Sequence, residues 1–226
     1  MKFINNVNET LRDDMAAEMQ KGSKLSIAAA YFSIYAFEAL RKELSNIDEL
    51  RFIFTDPTFI QKENSKKEKR EFYIPKLNRE RGIYGTEFEV KLRNELNQKA
   101  IAKECAEWIK KKVTFKSNVG NKDITDKFIL LDDKAYFPVN GFTTVDLGCE
   151  QGNNMGTNIA KVASPMSLTL IEQFEKLWQN NEELKDVTNN VISSISSAYN
   201  ENAPEFIYFV TLYNIFHEFL TDISED

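Results

Sequence analysis

The sequence predicts an α/β fold: a central mixed β-sheet flanked by helices, with a helical C-terminal extension. Three observations predict it. Residues 24–55 read as strand, helix and strand with short connections, the pattern of a parallel βαβ unit. Residues 127–139 read as a hairpin about Asp132-Asp133, which adds antiparallel strands. The 226 residues are 42% hydrophobic and 12% aromatic, enough for a sizeable buried core.

In chain order, Thr10 to Lys21 carries Leu11, Met15 and Met19 at helical spacing and meets Gly22, so it is a helix with its stop. Lys24 to Ser33 is a short apolar run ending in aromatics, which suits a buried strand. Ser33 is the expected N-cap of a helix through Phe37, Leu40 and Leu44. Glu49 to Thr55 is the second strand, closed by Asp56-Pro57. Residues 61–85 are polar and charged and read as a long exposed excursion, a type of segment that is usually functional or mobile. Leu96 to Val113 returns to helical spacing, with Ile101, Cys105, Trp108 and Ile109 on one face, and Val113 to Ser117 reads as a strand. The Gly148–Gly156 stretch, with Asn153, Asn154 and Asn158, reads as a plain surface loop. Three helices are expected after it, at about 166–179, 184–198 and 204–223. The expected division is an α/β domain over 1–160, carrying the basic excursion of about 61–95, and a helical extension over 161–226.

Composition excludes several function classes. Cys105 and Cys149 are far apart and form no CxxC, which argues against a disulfide scaffold or a thiolate zinc site and fits a reducing cytoplasm. The single histidine excludes a polyhistidine metal site, so no metal is expected. The N-terminus is polar and acidic rather than leader-like, and no apolar run nears the ~20 residues that span a bilayer. The net charge of −6 is the sum of unlike parts. Residues 62–122 carry 17 basic and 9 acidic groups, a net of +8, and residues 123–226 carry 5 basic and 17 acidic groups, a net of −12. A basic segment within an acidic chain meets a phosphate backbone while the acidic part sets orientation; the rival reading is a solvated face of mixed charge.

The chemistry-bearing stretch runs from Ile124 to Thr143. Lys127 and Asp132 stand at K-x4-D spacing in a strand–turn–strand setting, followed by Asn140-Gly-Phe-Thr143. This resembles the phospholipase D superfamily, whose members carry H-x-K-x4-D and then a G-S-x-N turn. Here Thr125 stands at the His position and Pro138-Val-Asn-Gly141 at the turn. Asn5 to Thr10, Ser26 to Ser33, Leu50 to Thr55, Gly85 to Arg93, Gly141 to Gly148 and Ala198 to Asn202 are similar to the phospholipase D-like domain that precedes certain bacterial Swi/Snf-type DNA helicase motors. The resemblance covers nearly the whole chain. It implies an N-terminal accessory domain of an ATP-dependent helicase, with ATP and Mg bound by a motor downstream. No GxxxxGK[ST] occurs in this sequence, so no cofactor is expected for these residues themselves.

In the active family, a His attacks phosphorus, a second His protonates the leaving group, lysines hold the phosphate oxygens and the acidic residue orients the His. A chain with one motif supplies half a site, so the resemblance also implies a homodimer. Thr125 has a hydroxyl that ionises far above neutral pH and no nearby His in sequence. The expectation is therefore a degenerate site, Lys127 and Asp132, that holds a phosphate without hydrolysing it. His217 lies among apolar residues at helical spacing and reads as an ordinary helix position; a functional role would require its helix to fold back onto Lys127. Asp56 with Glu89 and Lys91 mimics the D…E-x-K pattern of metal nucleases, a triplet common in charged segments.

DNA contact is expected from Lys66, Lys67, Lys69, Arg70, Lys76, Arg79 and Arg81, interleaved with Phe72, Tyr73 and Tyr84, because cations meet phosphates and aromatics stack on bases irrespective of sequence. The partners expected are thus DNA, the helicase motor and a second copy, with no membrane. The alternatives are a phospholipase D-type endonuclease with a variant active site, or a docking module working through the apolar C-terminal helix.

Overall fold

The computed structural model describes residues 1–55, 95–119, 124–150 and 158–197. Its core is an eight-stranded mixed sheet. The strands are β1 (Lys2–Ile4), β2 (Lys24–Ala29), β4 (Glu49–Phe54), β5 (Val113–Asn118), β6 (Phe128–Leu131), β7 (Lys134–Phe137), β9 (Ile159–Val162) and β10 (Leu184–Asp186). Two further short strands, β3 (Tyr31–Phe32) and β8 (Gly141–Phe142), pair with each other. The sheet order is β1-β9-β7-β6-β2-β4-β5-β10, with β2, β4 and β5 parallel and the remaining pairs antiparallel.

Alternation along the strands divides the core between the two faces. Leu25, Ile27, Leu50, Phe52, Phe54, Phe115, Ile129, Leu131 and Tyr136 face one side. That side is covered by α1 (Leu11–Glu18), α2 (Ile34–Ala39), α4 (Glu95–Lys112) and α6 (Thr188–Ser197). A fifth, four-residue helix, α3 (Arg41–Leu44), follows α2. Ala28, Ile53, Phe128, Leu130, Ala135 and Val162 face the other side, under α5 (Leu168–Gln179), whose Phe174 is fully buried there. On the first face, five phenylalanines interlock near the ends of the parallel strands: Phe32 lies 5.1 Å from Phe115, and Phe52 lies 4.7 Å from Phe54.

Local signals account for the element ends. Thr10 caps α1 by accepting from the Asp13 N–H, and Ser33 caps α2 by accepting from the Tyr35 N–H. Asn6, at φ 54°, accepts from the Leu11 N–H and donates to the Asp146 carbonyl. Gly148 is needed opposite it: φ is +78°, and a Cβ would stand 2.6 Å from the Asn6 side chain.

The structure departs from the sequence reading in four places. The helix expected through Phe37, Leu40 and Leu44 is two, α2 and α3, broken at Leu40. The run 24–33 is two strands, β2 and β3, with Ala30 between them. Residues 184–198 are not one helix. Leu184–Asp186 pairs antiparallel with Lys116–Asn118, and α6 begins at Thr188. The unpaired edge of β5 supplies backbone partners that a helix over 184–187 would have left open. Finally, β9 pairs with both β1 and β7 at Ile159–Val162, a span too short to show a period. The expected helix at 204–223, the basic excursion and the Asn153–Asn154 loop lie outside the described residues.

Candidate functional site

Lys127 immediately precedes β6. Because Phe128 pairs antiparallel with Ala28, Lys127 sits beside the carboxyl end of β2, where β4 also ends and the chain turns away into Thr55. In open α/β sheets, that edge is where ligands bind. The Val139 N–H donates to the Lys127 carbonyl at 3.2 Å, the Ala30 N–H donates to the Asn140 carbonyl at 3.0 Å, and the Ser33 N–H donates to the Phe142 carbonyl at 2.9 Å. Together with the β3–β8 pair, these bonds draw the Asn140-Gly141 turn against the exit of β2.

The result is an open cleft of about 270 Å³. It is lined by Thr125, Asp126, Lys127, Phe128, Phe137, Pro138, Asn140 and Leu170. Thr125, Asp126 and Asn140 are exposed, and Lys127 is half-buried. Asp126 Oδ2 accepts from Gln173 Nε2 of α5 at 2.6 Å, so part of its charge is already engaged. Ile124, Asp126 and Phe128 face α5, so strand alternation turns Thr125 and Lys127 toward the opposite face, where a hydroxyl and an ammonium two residues apart can hold a phosphate oxygen. Thr125 has no histidine beside it among the described residues, and His217 lies outside them.

Asp132 is elsewhere. It occupies the β6–β7 turn at φ 52°, its Oδ1 accepts from the Lys24 N–H at 2.8 Å, and its own N–H donates to the Lys24 carbonyl at 3.1 Å. The whole of β6 separates it from Lys127, about 16 Å at roughly 3.3 Å per residue. Its carboxylate ties the hairpin to the opposite end of β2 and does not reach Thr125. Lys66, Lys67, Lys69, Arg70, Lys76, Arg79, Arg81, Asp56, Glu89 and Lys91 all lie outside the described residues. Phe137 reaches the cleft through the β6–β7 hairpin, whereas Leu170 and Gln173 carried no signal in the sequence, because only the packing of α5 across the sheet brings them there.

Two polar clusters lie away from the cleft. Asp14 is buried and accepts from Lys2 Nζ (2.8 Å), Lys161 Nζ (2.6 Å) and the Tyr136 hydroxyl (2.9 Å). Burial pushes its carboxyl up, but these three donors outweigh it and hold it below the usual range. Burial, with the Asp14 bond, pushes the Tyr136 hydroxyl far up. On the other face Arg51 is bidentate to Glu175, donates to Ser26 Oγ and lies over the rings of Phe174 and Trp178. Cys105 is buried, and burial raises its thiol well above its ordinary value, which marks it as a packing residue.

Among the described residues, no group of three His, Cys, Asp or Glu is placed to hold a metal ion, and no helix is long and apolar enough to cross a membrane. No family model and no curated protein matches the chain. Among solved structures, it is similar to a phosphatidylserine synthase of Haemophilus influenzae Rd KW20, at 15% identity and a TM-score of 0.46, over 82% of this chain. The chain spans 39% of that protein's length, and a likeness of this degree carries no functional weight.

Proposed function

We propose that the chain is a phospholipase D-like module that binds a phosphate at the carboxyl edge of its sheet and does not hydrolyse it through a phosphohistidine. The observation that carries this reading is Lys127 in an open cleft with Thr125 and Asn140, at the place where the family's motif has its lysine. A cation with neutral donors beside it stabilises a bound phosphate oxygen. Without a histidine at 125, the covalent step lacks its nucleophile.

The phosphate belongs to a DNA backbone in this reading, and the module is the accessory domain of an ATP-dependent helicase whose motor would bind ATP and Mg. The support is the sequence resemblance and the net +8 of residues 62–122, which adds sequence-independent contacts through Lys66, Lys67, Lys69, Arg70, Lys76, Arg79 and Arg81. A second copy would bring a second cleft to the same duplex.

The test is fluorescence anisotropy of labelled oligonucleotides against the 226-residue chain at low salt, with incubated samples run on a denaturing gel. Lys127→Ala is expected to weaken binding several-fold, and the DNA is expected to stay intact. Unchanged binding by Lys127→Ala overturns the phosphate site. Metal-independent cleavage that Lys127→Ala abolishes replaces the reading with a variant nuclease.

A further inference from the structure

Among the described residues, five of the six exposed large apolar side chains belong to β1 and its flanks or to the turn that enters α5. Met1 is 73% exposed, Phe3 63%, Val7 75%, Met166 59% and Leu168 47%. Strand register places them at one corner. Lys2 pairs with Lys161 and Phe3 with Ala160, so Met1 stands beside Val162, four residues before Met166. Lys2 and Ile4 face the side of the sheet that carries Asp14 and α1. Alternation therefore turns Met1 and Phe3 to the α5 side, over the buried Ala160 and Val162. From this corner α5 runs toward β5, where Trp178 meets Lys116, and so leaves Phe3 in water.

The same corner is a sheet edge. Among the described residues nothing pairs with the outer side of β1, which ends the sheet. Edge strands are commonly guarded by a lysine that keeps a second strand away. Lys2 does not guard this one, because Asp14 and Glu9 hold its ammonium on the other face. At about 150–200 Å² for a fully exposed side chain of this size, the five residues leave roughly 500–600 Å² of apolar surface per copy. Two copies joined there bury about 1,000–1,200 Å² before the strand edges are counted, the low end of the range for specific association. A two-fold axis normal to the sheet sets the two β1 edges antiparallel and keeps both patches on one face.

We propose that β1 pairs antiparallel with β1 of a second copy, Phe3 against Phe3, so that the two eight-stranded sheets join into one. The antiparallel register also brings Val7 of each copy to the Met1 end of the other. This pairing is independent of the phosphate reading. It also differs from the joining of two half-sites that the family resemblance implies. Seven strand spacings, about 34 Å, separate the two Lys127 positions, and the two β2 strands point in opposite directions. Each cleft therefore acts alone in this dimer.

The experiment is sedimentation velocity of the 226-residue chain over a concentration series, from about 1 to 200 µM, for the wild type and three variants. The wild type is expected to pass from monomer to dimer within that range and to stop at two copies, as an interface of this size predicts. Phe3→Asp sets two carboxylates against each other across the axis and is expected to weaken the dimer at least tenfold. Met166→Asp changes an exposed turn position and is expected to act in the same direction, so that one variant stays informative if the other folds poorly. Tyr31→Ser, at the one exposed large aromatic away from this corner among the described residues, is expected to leave the dimer within about twofold. Thermal melts check folding. A chain that stays monomeric throughout overturns the proposal, as does a dimer indifferent to both Phe3→Asp and Met166→Asp. Growth past two copies overturns the two-fold pairing. A monomeric wild type whose melting temperature falls by several degrees on Phe3→Asp would assign the patch to residues 198–226 of the same chain and overturn it as well.

Discussion

Asp14 shows how one carboxylate holds three segments together. Its residue is 6% exposed, and its partners come from β1, β7 and β9. A buried charge stripped of a partner is costly, so Asp14→Asn is expected to destabilise the fold by roughly 2–4 kcal/mol at pH 7 in urea titrations. Tyr136→Phe removes one bond and is expected to cost about 1 kcal/mol. The pH dependence follows from the sign of the shifts. Hydrogen bonding to Lys161 lowers the Glu18 carboxyl, and Asp14 is also lowered. A carboxyl lowered in the folded state contributes stability above its unfolded value, about 4, and loses it as pH falls through the folded value. The wild type is therefore expected to lose stability below about pH 4, and the Asp14→Asn penalty is expected to shrink there. Asp132 gives a contrasting prediction. Asp132→Ala loses a backbone acceptor at a positive φ and is expected to cost about 1–2 kcal/mol, whereas Asp132→Asn keeps both and is expected to be near neutral. Neither is expected to alter nucleic-acid binding, because the turn is at the far end of β6. An affinity loss on Asp132→Asn with unchanged melting would contradict that placement. The K-x4-D spacing was legible in the sequence, but the separation of its two ends was not, since it depends on β6 being extended between them.

Elements legible from the chain are those long enough to show a period. β2, β4 and β6 read as apolar runs bounded by turns because they are buried on both faces, β5 alternates over Val113–Phe115, the Asp132-Asp133 turn marks the β6–β7 hairpin, and Ile101, Cys105, Trp108 and Ile109 mark the buried face of α4. The strands β1, β8, β9 and β10 span two to four residues each, too few for alternation to register. The 184–197 stretch is instructive. Leu184, Val187, Val191 and Ile195 fall at helical spacing and are all buried, yet the first of them is in a strand. The junction is pinned by Thr188, which donates its N–H to Asp186 Oδ1 at 2.8 Å and accepts from the Phe115 N–H at 2.9 Å. These contacts tie α6 to the edge of β5. Ile195→Ala, at a fully buried position, is expected to cost about 2–4 kcal/mol. The two tryptophans report opposite faces: Trp108 donates to the Leu44 carbonyl under α4, and Trp178 carries Lys116 over its ring at 4.8 Å on the other side. Single-tryptophan variants carrying Ile195→Ala are expected to lose stability by the same amount when unfolding is read from either probe. A shift at the Trp108 probe alone would show that α6 melts separately from the sheet.

At the scale of the whole molecule, the charge asymmetry predicts how binding responds to salt. If the basic segment contacts duplex DNA, the logarithm of affinity falls with the logarithm of salt at about 0.9 per phosphate neutralised. Replacing Lys66, Lys67, Lys69 and Arg70 with Ala together is expected to flatten that slope by about 3–4 units in anisotropy titrations. An unchanged slope would move the contact to another face. What the sequence determined by itself was local and compositional: the βαβ unit, the hairpin, the helices with long amphipathic faces, the basic middle and acidic end, and a threonine where the motif has histidine. Tertiary structure alone decided what those pieces do together. It held Lys127 to the Val139-Asn140 turn through a backbone bond from Val139, tied that turn to the end of β2 through a bond from Ala30, brought Leu170 to the opening, and sent Asp132 to the other end of the sheet. The physical reason is that periodicity reports which way a side chain faces within its own element, whereas a cleft is made by strand pairing and helix packing between residues distant in the chain, where no local pattern reaches.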